Sequence, residues 1–390
     1  MLELNEWFFG ASLGLIAYVY LGFPVLLALY AVLRPRPANC DPATPSVSVI
    51  IPAYNEASVI IKKLNNTLAL DYPHERLEII VASDGSDDAT NELVANYKVP
   101  GVKLLTLPRL GKNHALNLAV ASAQGEVLVF TDADSMLVSD ALRHLVSPFG
   151  DPDIGGVAGD FRYIEGKTGI GERTYWNFDR MLKRLQSQAG SVTSATGQLY
   201  AIRRSLFAIV PPGVTDDFFV STQVLAHHQR LLFEPRAVAY GAVAETEDVE
   251  FRRKVRVATR GFNSVWHMRR LLNPLEYGFY SFQLLSHKVL RRVIGIPLIA
   301  LLVTAPSLWQ RGWFYQLATV ACFMLHGIAV LGFLLQGTWL GHFKVLRLPF
   351  FFDMVNAAAL FALANLLFGA RQDNWTPHRS AANDALKGDV

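Results

Sequence analysis

A chain of 390 residues, 51% hydrophobic and only 18% charged, is long enough for a sizeable folded domain and too apolar for that domain alone. Its net charge of +3 is too small for a nucleic-acid partner, and no Lys/Arg-dense block interleaves with aromatics as a strand-binding groove requires. The two cysteines, Cys40 and Cys322, form neither a metal spacing nor a disulfide framework.

In chain order, Trp7 to Leu33 is almost wholly apolar and long enough to cross a bilayer with some tilt. The start carries Glu3 and Glu6 and no Lys or Arg, unlike a cleaved signal peptide. Arg34 and Arg36 follow, so the positive-inside rule puts the N-terminus outside and the next domain in the cytoplasm. Pro35 to Pro45 reads as a linker. Strands are predicted at Val47 to Ile51, Leu77 to Ala82, Val102 to Leu107 and Val127 to Phe130. Helices alternate with them at Ala57 to Leu70, Asp88 to Tyr97 and Lys112 to Ala123. That alternation predicts an α/β domain with a mostly parallel sheet, its ligand crevice at the carboxyl ends of the strands.

Farther on, Glu172 to Gln188 is an amphipathic helix with Trp176, Met181, Leu182 and Leu185 on its apolar side. Trp266 to Gly295 mixes aromatics with His287, Lys288, Arg291 and Arg292, which suits helices at the inner membrane face. Apolar segments follow at Val293 to Leu308, Trp313 to Leu335 and Leu348 to Phe368, the last weakened by Asp353 and Asn356. The expected division is an anchor at 1–34, a linker at 35–46, the α/β domain at 47–262, interface helices at 263–292, about three membrane helices at 293–370 and a polar tail at 371–390.

Seven stretches carry chemistry. The run Val127 to Phe130 ends in Thr131-Asp132-Ala133-Asp134, two carboxylates at i and i+2 that suit a divalent cation shared with substrate phosphates. Pro52-Ala53-Tyr54-Asn55-Glu56 and Ser83-Asp84-Gly85-Ser86 end two strands; Tyr54 offers a stacking face, Glu56 and Asp84 acceptors for a base or ribose. Gly111-Lys112-Asn113 opens a helix with a cation suited to a diphosphate. Thr196-Gly197-Gln198 and Thr215-Asp216-Asp217-Phe218 place an amide and two acids against apolar residues, a setting that raises a carboxyl pKa toward a general base. On a helix Arg253, Arg256 and Arg260 share one face, fit for phosphate oxygens or for anionic headgroups, with Glu245, Glu247 and Asp248 upstream as pairing candidates. Taken alone, the acidic and amide loop stretches also read as ordinary turns or helix caps, and Lys112 as a solvated lysine.

In this order the motifs resemble those of membrane-bound family 2 glycosyltransferases, the branch with cellulose, chitin, hyaluronan and poly-N-acetylglucosamine synthases and nodulation chitooligosaccharide synthases. The resemblance covers about Val47 to Gly261. It implies a GT-A fold (Rossmann-like, mostly parallel sheet) in the cytoplasm flanked by transmembrane helices, and inverting transfer from a nucleotide sugar, usually a UDP-sugar. It also implies site roles. Pro52, Tyr54, Glu56 and Asp84 hold the nucleoside, Lys112 and Arg256 reach the diphosphate, and Asp132 and Arg253 assist in binding the nucleotide. Asp134 with Asp132 binds Mg²⁺ or Mn²⁺; Asp217, beside Asp216, is the base; Gly197 and Gln198 meet the acceptor.

Two departures stand out. The family's Thr-Glu-Asp reads Thr215-Asp216-Asp217, which keeps the base. Its Gln-x-x-Arg-Trp reads Arg253-Lys254-Val255-Arg256-Val257, which keeps the arginine and loses the tryptophan that would stack on a sugar. The implied partners are a nucleotide sugar, a glycan or lipid-linked acceptor, membrane lipids and an export complex. Alternatives to chain extension are transfer of a single sugar to a lipid-linked acceptor, and a non-catalytic nucleotide-sugar-binding subunit.

Overall fold

The computed structural model describes residues 2–38, 43–164, 170–241 and 247–368; the polar tail at 371–390, Cys40 and Glu245 lie outside them. The N-terminal helix runs Leu2–Ala17 (α1), passes through a π-helical turn at Tyr18–Gly22 and continues as Phe23–Leu33 (α2). Pro24 has no amide to donate and its ring crowds the preceding turn, and the wider π turn just before it accommodates both.

The α/β domain follows as β1 (Val47–Ala53), α3 (Ile60–Leu68), β2 (Leu77–Asp84), α4 (Thr90–Asn96), β3 (Val102–Leu107), α5 (Lys112–Ser122) and β4 (Val127–Phe130). It continues with β5 (Met136–Leu137), α6 (Ala141–Val146), β6 (Ile154–Tyr163), α7 (Ile170–Gln188), β7 (Tyr200–Arg203), α8 (Asp216–Ala226) and β8 (Arg230–Gly241). The eight strands form one sheet in the order β3-β2-β1-β4-β7-β6-β8-β5. β1 to β4 pair in parallel, as do β6 and β8; β7 runs antiparallel to both β4 and β6. The chain order turns back between β1 and β4, so their carboxyl ends open a crevice there.

Alternate residues of the central strands feed opposite faces. Ile50, Leu128 and Phe130 pack with Leu116 of α5 and Phe218 of α8, whereas Val49, Ile51 and Val129 pack with Ile60, Leu64, Leu142 and Leu145. Burying each such side chain contributes about 1.5–3 kcal/mol relative to exposure.

Two expected helices start late for a common reason. Asn55 adopts φ 56° and its Oδ1 accepts the Asp87 amide at 2.9 Å; the Glu56 and Ala57 amides go to Thr90 Oγ1 and Asp88 Oδ2. Residues 57–59 therefore form a turn, and α3 begins at Ile60 rather than Ala57. Asp88 accepts the Thr90 amide at 2.9 Å, so α4 begins after it rather than at it. On α7, Trp176 packs edge-on to Phe161 and Tyr163, and Leu182 and Leu185 join Phe23, Leu27 and Ala31 of α2. Met181, expected on that apolar side, faces out at 43% exposure because α2 meets α7 through Phe178, Leu182 and Leu185.

Beyond the sheet run α9 (Glu247–His267), α10 (Pro274–Tyr277), α11 (Phe279–Leu284), a π-helical turn (Leu285–Leu290), α12 (Arg291–Val293), α13 (Gly295–Ser307), α14 (Trp313–Leu334) and α15 (Lys344–Leu367). Among the described residues three helices are long and apolar enough to cross a membrane: Glu3–Leu33, Trp313–Leu334 and Lys344–Leu367. The segment expected at Val293 to Leu308 is only the second arm of a pair, Phe279–Val293 and Gly295–Ser307, bent by 53°. Two polar residues inside α15 have partners: Asp353 Oδ2 meets His326 Nδ1 of α14 at 2.8 Å, and Asn356 donates to the Phe352 carbonyl at 2.9 Å.

Candidate active site

The crevice at the ends of β1, β2 and β4 gathers residues from every motif between Pro52 and Asp217. Asp132 follows β4, and its Oδ1 takes Lys112 Nζ from the start of α5 at 2.8 Å. The same ammonium reaches Asp216 Oδ2 in the first turn of α8 at 3.2 Å. Burial works against the Lys112 charge, but Asp132 and Asp216 hold its pKa above the ordinary value.

The α5 motif does more than supply Lys112. Asn113 donates to the Pro211 and Val214 carbonyls (2.9 and 3.2 Å), and one turn later Asn117 exchanges two bonds with Val210. These side chains fix the segment that delivers Asp216 and Asp217, while Ser264 of α9 takes the Thr215 amide at 2.9 Å. Asp217 Oδ1 accepts the Phe218 amide at 2.8 Å. Burial first, then Asp216, pushes its pKa up to about 6, against the pull of Lys112 and Lys288. Gly197 stands between the two acid motifs: a Cβ there would lie 3.9 Å from both Asp132 Oδ2 and Asp217 Cβ. Gln198 makes no hydrogen bond among the described residues.

Asp134 opens to solvent in the cleft, its pKa raised by burial among protein atoms and by Asp132. Among the described residues no three His, Cys, Asp or Glu gather as a metal cage. Two neighbouring carboxylates, one of them open, fit a cation whose remaining ligands are phosphate oxygens and water. Tyr200, stacked 4.7 Å from Phe130, has a buried hydroxyl with no hydrogen-bond partner among the described residues, close enough to Asp216, Asp217 and Asp132 to feel their charge.

Of the residues expected to hold the nucleoside, Asp84 is engaged within the chain. Asp84 is 1% exposed and spends its carboxylate on Arg109 and the Leu110 and Gly111 amides (both 2.9 Å). Arg109 in turn lies 3.4 Å over the Tyr54 ring. Gly85, at φ 70°, lets this loop close: a Cβ there would overlap the Arg109 backbone at 2.8 Å. Pro52 is buried in β1, paired with Ala82, and Glu56 begins the turn before α3.

On α9, Arg253 is held by Glu250 Oε2 at 2.8 Å and the Tyr163 hydroxyl at 3.0 Å, and Lys254 by Glu250 at 3.1 Å. Among the described residues the acid that holds these two side chains is Glu250, in the first turn of the helix. Arg256 makes no hydrogen bond or ion pair among the described residues.

Residues 48–209 match the family model described as Glycosyl transferase family 2. The chain carries a family 2 glycosyltransferase domain. Around it, 225 residues are 29% identical to the poly-β-1,6-N-acetyl-D-glucosamine synthase of Staphylococcus epidermidis and 229 residues 31% identical to that of Staphylococcus aureus. Each match covers 55% of this chain and 54% of the relative, so the chain spans about half the length of the curated relatives it matches. A mannosyltransferase of Pyrobaculum calidifontis, solved with GDP-Man and Mn²⁺, superposes with a TM-score of 0.71 at 24% identity, over 93% of this chain and all of that one. The glycosyltransferase domain has the GT-A fold.

Lys63 is a site residue that the motifs did not reveal. It is fully buried beneath the loop of Asp132 and Asp134, where its ammonium donates to Thr131 Oγ1 at 2.8 Å and to the Ser135 carbonyl. Burial lowers its pKa to about 7, opposed by Asp134 and Asp132. The signal was present: Ile60, Lys63, Leu64 and Thr67 form the buried face of α3, and a lysine on such a face needs a partner. Lys63→Ala is expected to cost about 2–4 kcal/mol of stability, from the cavity and two unpaired loop oxygens, measured by denaturant unfolding in detergent. A change under 0.5 kcal/mol would remove this role.

Proposed function

We propose that this protein is an inverting glycosyltransferase that moves a sugar from a nucleotide sugar, a UDP-sugar, to a hydroxyl of a growing β-linked glycan at the cytoplasmic face of the membrane. The observation that carries the reading is Asp217, a carboxylate poised near neutrality, beside Gly197 and the Lys112–Asp132–Asp216 cluster. Tyr54, Glu56 and Pro52 line the nucleoside end, with Asp84 and Arg109 shaping their loop. Lys112 and Arg256 offer charge to the diphosphate, while Arg253, braced by Glu250, supports that helix. Asp134 and Asp132 would hold Mg²⁺ or Mn²⁺, which when bound supplies Lewis-acid neutralisation of the leaving diphosphate. The acceptor, beside Gly197 and Gln198, attacks the anomeric carbon from behind. Its proton passes to Asp217, and the bond to the diphosphate breaks with the electron pair leaving on the nucleoside diphosphate. A single back-side displacement converts an α-linked donor into a β-glycoside.

The poly-β-1,6-N-acetylglucosamine synthase relatives make UDP-N-acetylglucosamine the first donor to test. The catalytic domain at 47–262 then sits between an N-terminal anchor at 1–34 and membrane helices at 293–370. A second reading, one sugar added to a lipid-linked acceptor, draws support from Val257, an aliphatic residue 48% exposed where processive relatives carry a stacking tryptophan.

NMR of the product formed by the purified protein tests both parts. A β-configured product supports direct displacement, and an α-configured one contradicts it; long products favour the glycan acceptor, single additions the lipid-linked one. The pH profile tests the base. Asp217 acts as the carboxylate, so kcat/KM is expected to be level above about pH 6 and to fall about tenfold per unit below it. A profile flat down to pH 4.5 would contradict the assignment.

A further inference from the structure

The bent helical pair reaches the active site through the loop between α7 and β7, the loop that carries Gly197. The contact is made by His287, in the π-helical turn Leu285–Leu290. Its Nδ1 lies 3.3 Å from the Thr193 hydroxyl, four residues before Gly197. Gln186, in the last turn of α7, takes the Thr193 amide on its carbonyl oxygen at 3.3 Å. That orientation turns the Gln186 amide nitrogen toward His287 Nδ1, at 3.0 Å. A donor therefore faces Nδ1, and the imidazole proton sits on Nε2, 3.3 Å from Asp179 Oδ1. Lys183 Nζ holds the other oxygen of Asp179 at 3.2 Å. Arg291 Nη1 approaches Nε2 at 3.2 Å, and the Phe23 ring of α2 stacks on the imidazole with centroids 6.4 Å apart. Asp179, Lys183, Gln186, Thr193 and His287 are all buried. A buried network whose members are bonded to one another specifies a single arrangement.

The same network grips the loop. Tyr280 of α11 donates to the Thr193 carbonyl at 2.9 Å, so α11 and the π-helical turn hold one residue from two sides. Ser286, beside His287, bonds the Tyr18 hydroxyl of the N-terminal helix at 2.7 Å, which steadies the turn. Two residues past Thr193, the Ala195 amide donates at 3.0 Å to Ser221 Oγ of α8, one turn beyond Asp217. The loop is thus pinned to the helical pair at Thr193 and to the helix of the base at Ala195.

The residues that follow keep their polar groups unspent. Thr196 Oγ1 is buried without a hydrogen-bond partner among the described residues, and Gln198 makes no hydrogen bond there. Gly197 stands between them, beside Asp132 and Asp217. A loop fixed at its start, with unspent groups on either side of Gly197, suits a ligand that must be met at a defined geometry.

We propose that His287 is a positioning residue for the glycan acceptor: through Nδ1 it ties Thr193 to the bent helical pair, and so sets where Thr196, Gly197 and Gln198 present the acceptor hydroxyl to Asp217. This rests on the transferase reading and adds a residue that touches neither substrate.

The test compares the full-length wild type in detergent with His287→Ala, His287→Asn and Tyr280→Phe. Asparagine puts an amide oxygen where Nδ1 stands. Tyr280→Phe removes only the bond to the Thr193 carbonyl, and keeps the inference testable should His287→Ala fold poorly. Donor affinity is read from Mn²⁺-dependent UDP binding. Acceptor use is read from transfer from UDP-N-acetylglucosamine to an oligosaccharide of β-1,6-linked N-acetylglucosamine. The loop itself is followed by amide hydrogen exchange over residues 191–198, with residues 127–130 of β4 as reference. In His287→Ala the acceptor KM and the loop exchange rate are each expected to rise at least about tenfold, with UDP affinity and β4 exchange within about twofold of wild type. His287→Asn should restore both, and Tyr280→Phe should move both in the same direction by a smaller factor. Acceptor KM or loop exchange unchanged in both His287→Ala and Tyr280→Phe overturns the positioning role while leaving the transferase reading intact. Equal losses of donor and acceptor binding, or faster exchange throughout the domain, would make the network structural only, and also overturn it. A wild-type protein that neither binds UDP nor transfers sugar overturns the transferase reading and the inference with it.

Discussion

Asp217→Asn is expected to lower kcat by about 10²–10⁴-fold, the range that a positioned general base supplies, while nucleotide-sugar affinity changes little. The substitution keeps the shape of the side chain and its bond from the Phe218 amide. It removes only the ability to take a proton. The donor's groups, Lys112, Asp132 and Asp134, remain in place, and the Lys112 ammonium is still held by Asp132 and Asp216. Equal loss of turnover and of nucleotide binding would place Asp217 in the donor site instead. Unchanged turnover would pass the proton to Asp216, the other acid on the first turn of α8.

Asp134→Ala is expected to weaken metal-dependent nucleotide-sugar binding by at least about 10²-fold, since it removes the one carboxylate of the pair left open to the cleft. Asp132 cannot take over fully, because its Oδ1 is occupied by Lys112 at 2.8 Å. The measurement is calorimetric titration of UDP with and without Mn²⁺. Wild-type affinity should fall on chelation, and the variant should respond little to either condition. A variant that keeps a full Mn²⁺ response would move the cation elsewhere.

Much of the domain was legible because its signals are local. Unbroken apolar runs such as Val127 to Phe130 mark strands buried on both faces, and the acids that follow them land at the crevice because parallel strands all end at one edge. The order of the motifs was legible too, since each needs a residue type that its turn or helix start makes available. Side-chain contacts between distant segments were not. Nothing near Asn55 in sequence shows that its amide side chain and the next backbone donors would be spent on residues 86–90, which is why α3 was expected three residues early. Asp84 looked like an open acceptor, and only the fold brings Arg109 and two loop amides onto it.

Charge pairing depends on geometry in the same way. Glu250 was not among the acids expected to pair with the basic helix, yet helical geometry puts it three residues from Arg253 and four from Lys254, and among the described residues it holds both. The membrane count was ambiguous because hydropathy does not register bends. α13 is strongly apolar yet only 13 residues long, and it reaches the length of a span only together with the arm that precedes the 53° turn.

The most direct test is release of nucleoside diphosphate by the purified protein in detergent, across a panel of nucleotide sugars with Mg²⁺ or Mn²⁺, beside Asp217→Asn as control. The account predicts release with one donor, dependence on the metal, and loss in the variant. No release with any donor, from a protein that still binds UDP, would contradict it and leave a nucleotide-sugar-binding subunit without turnover.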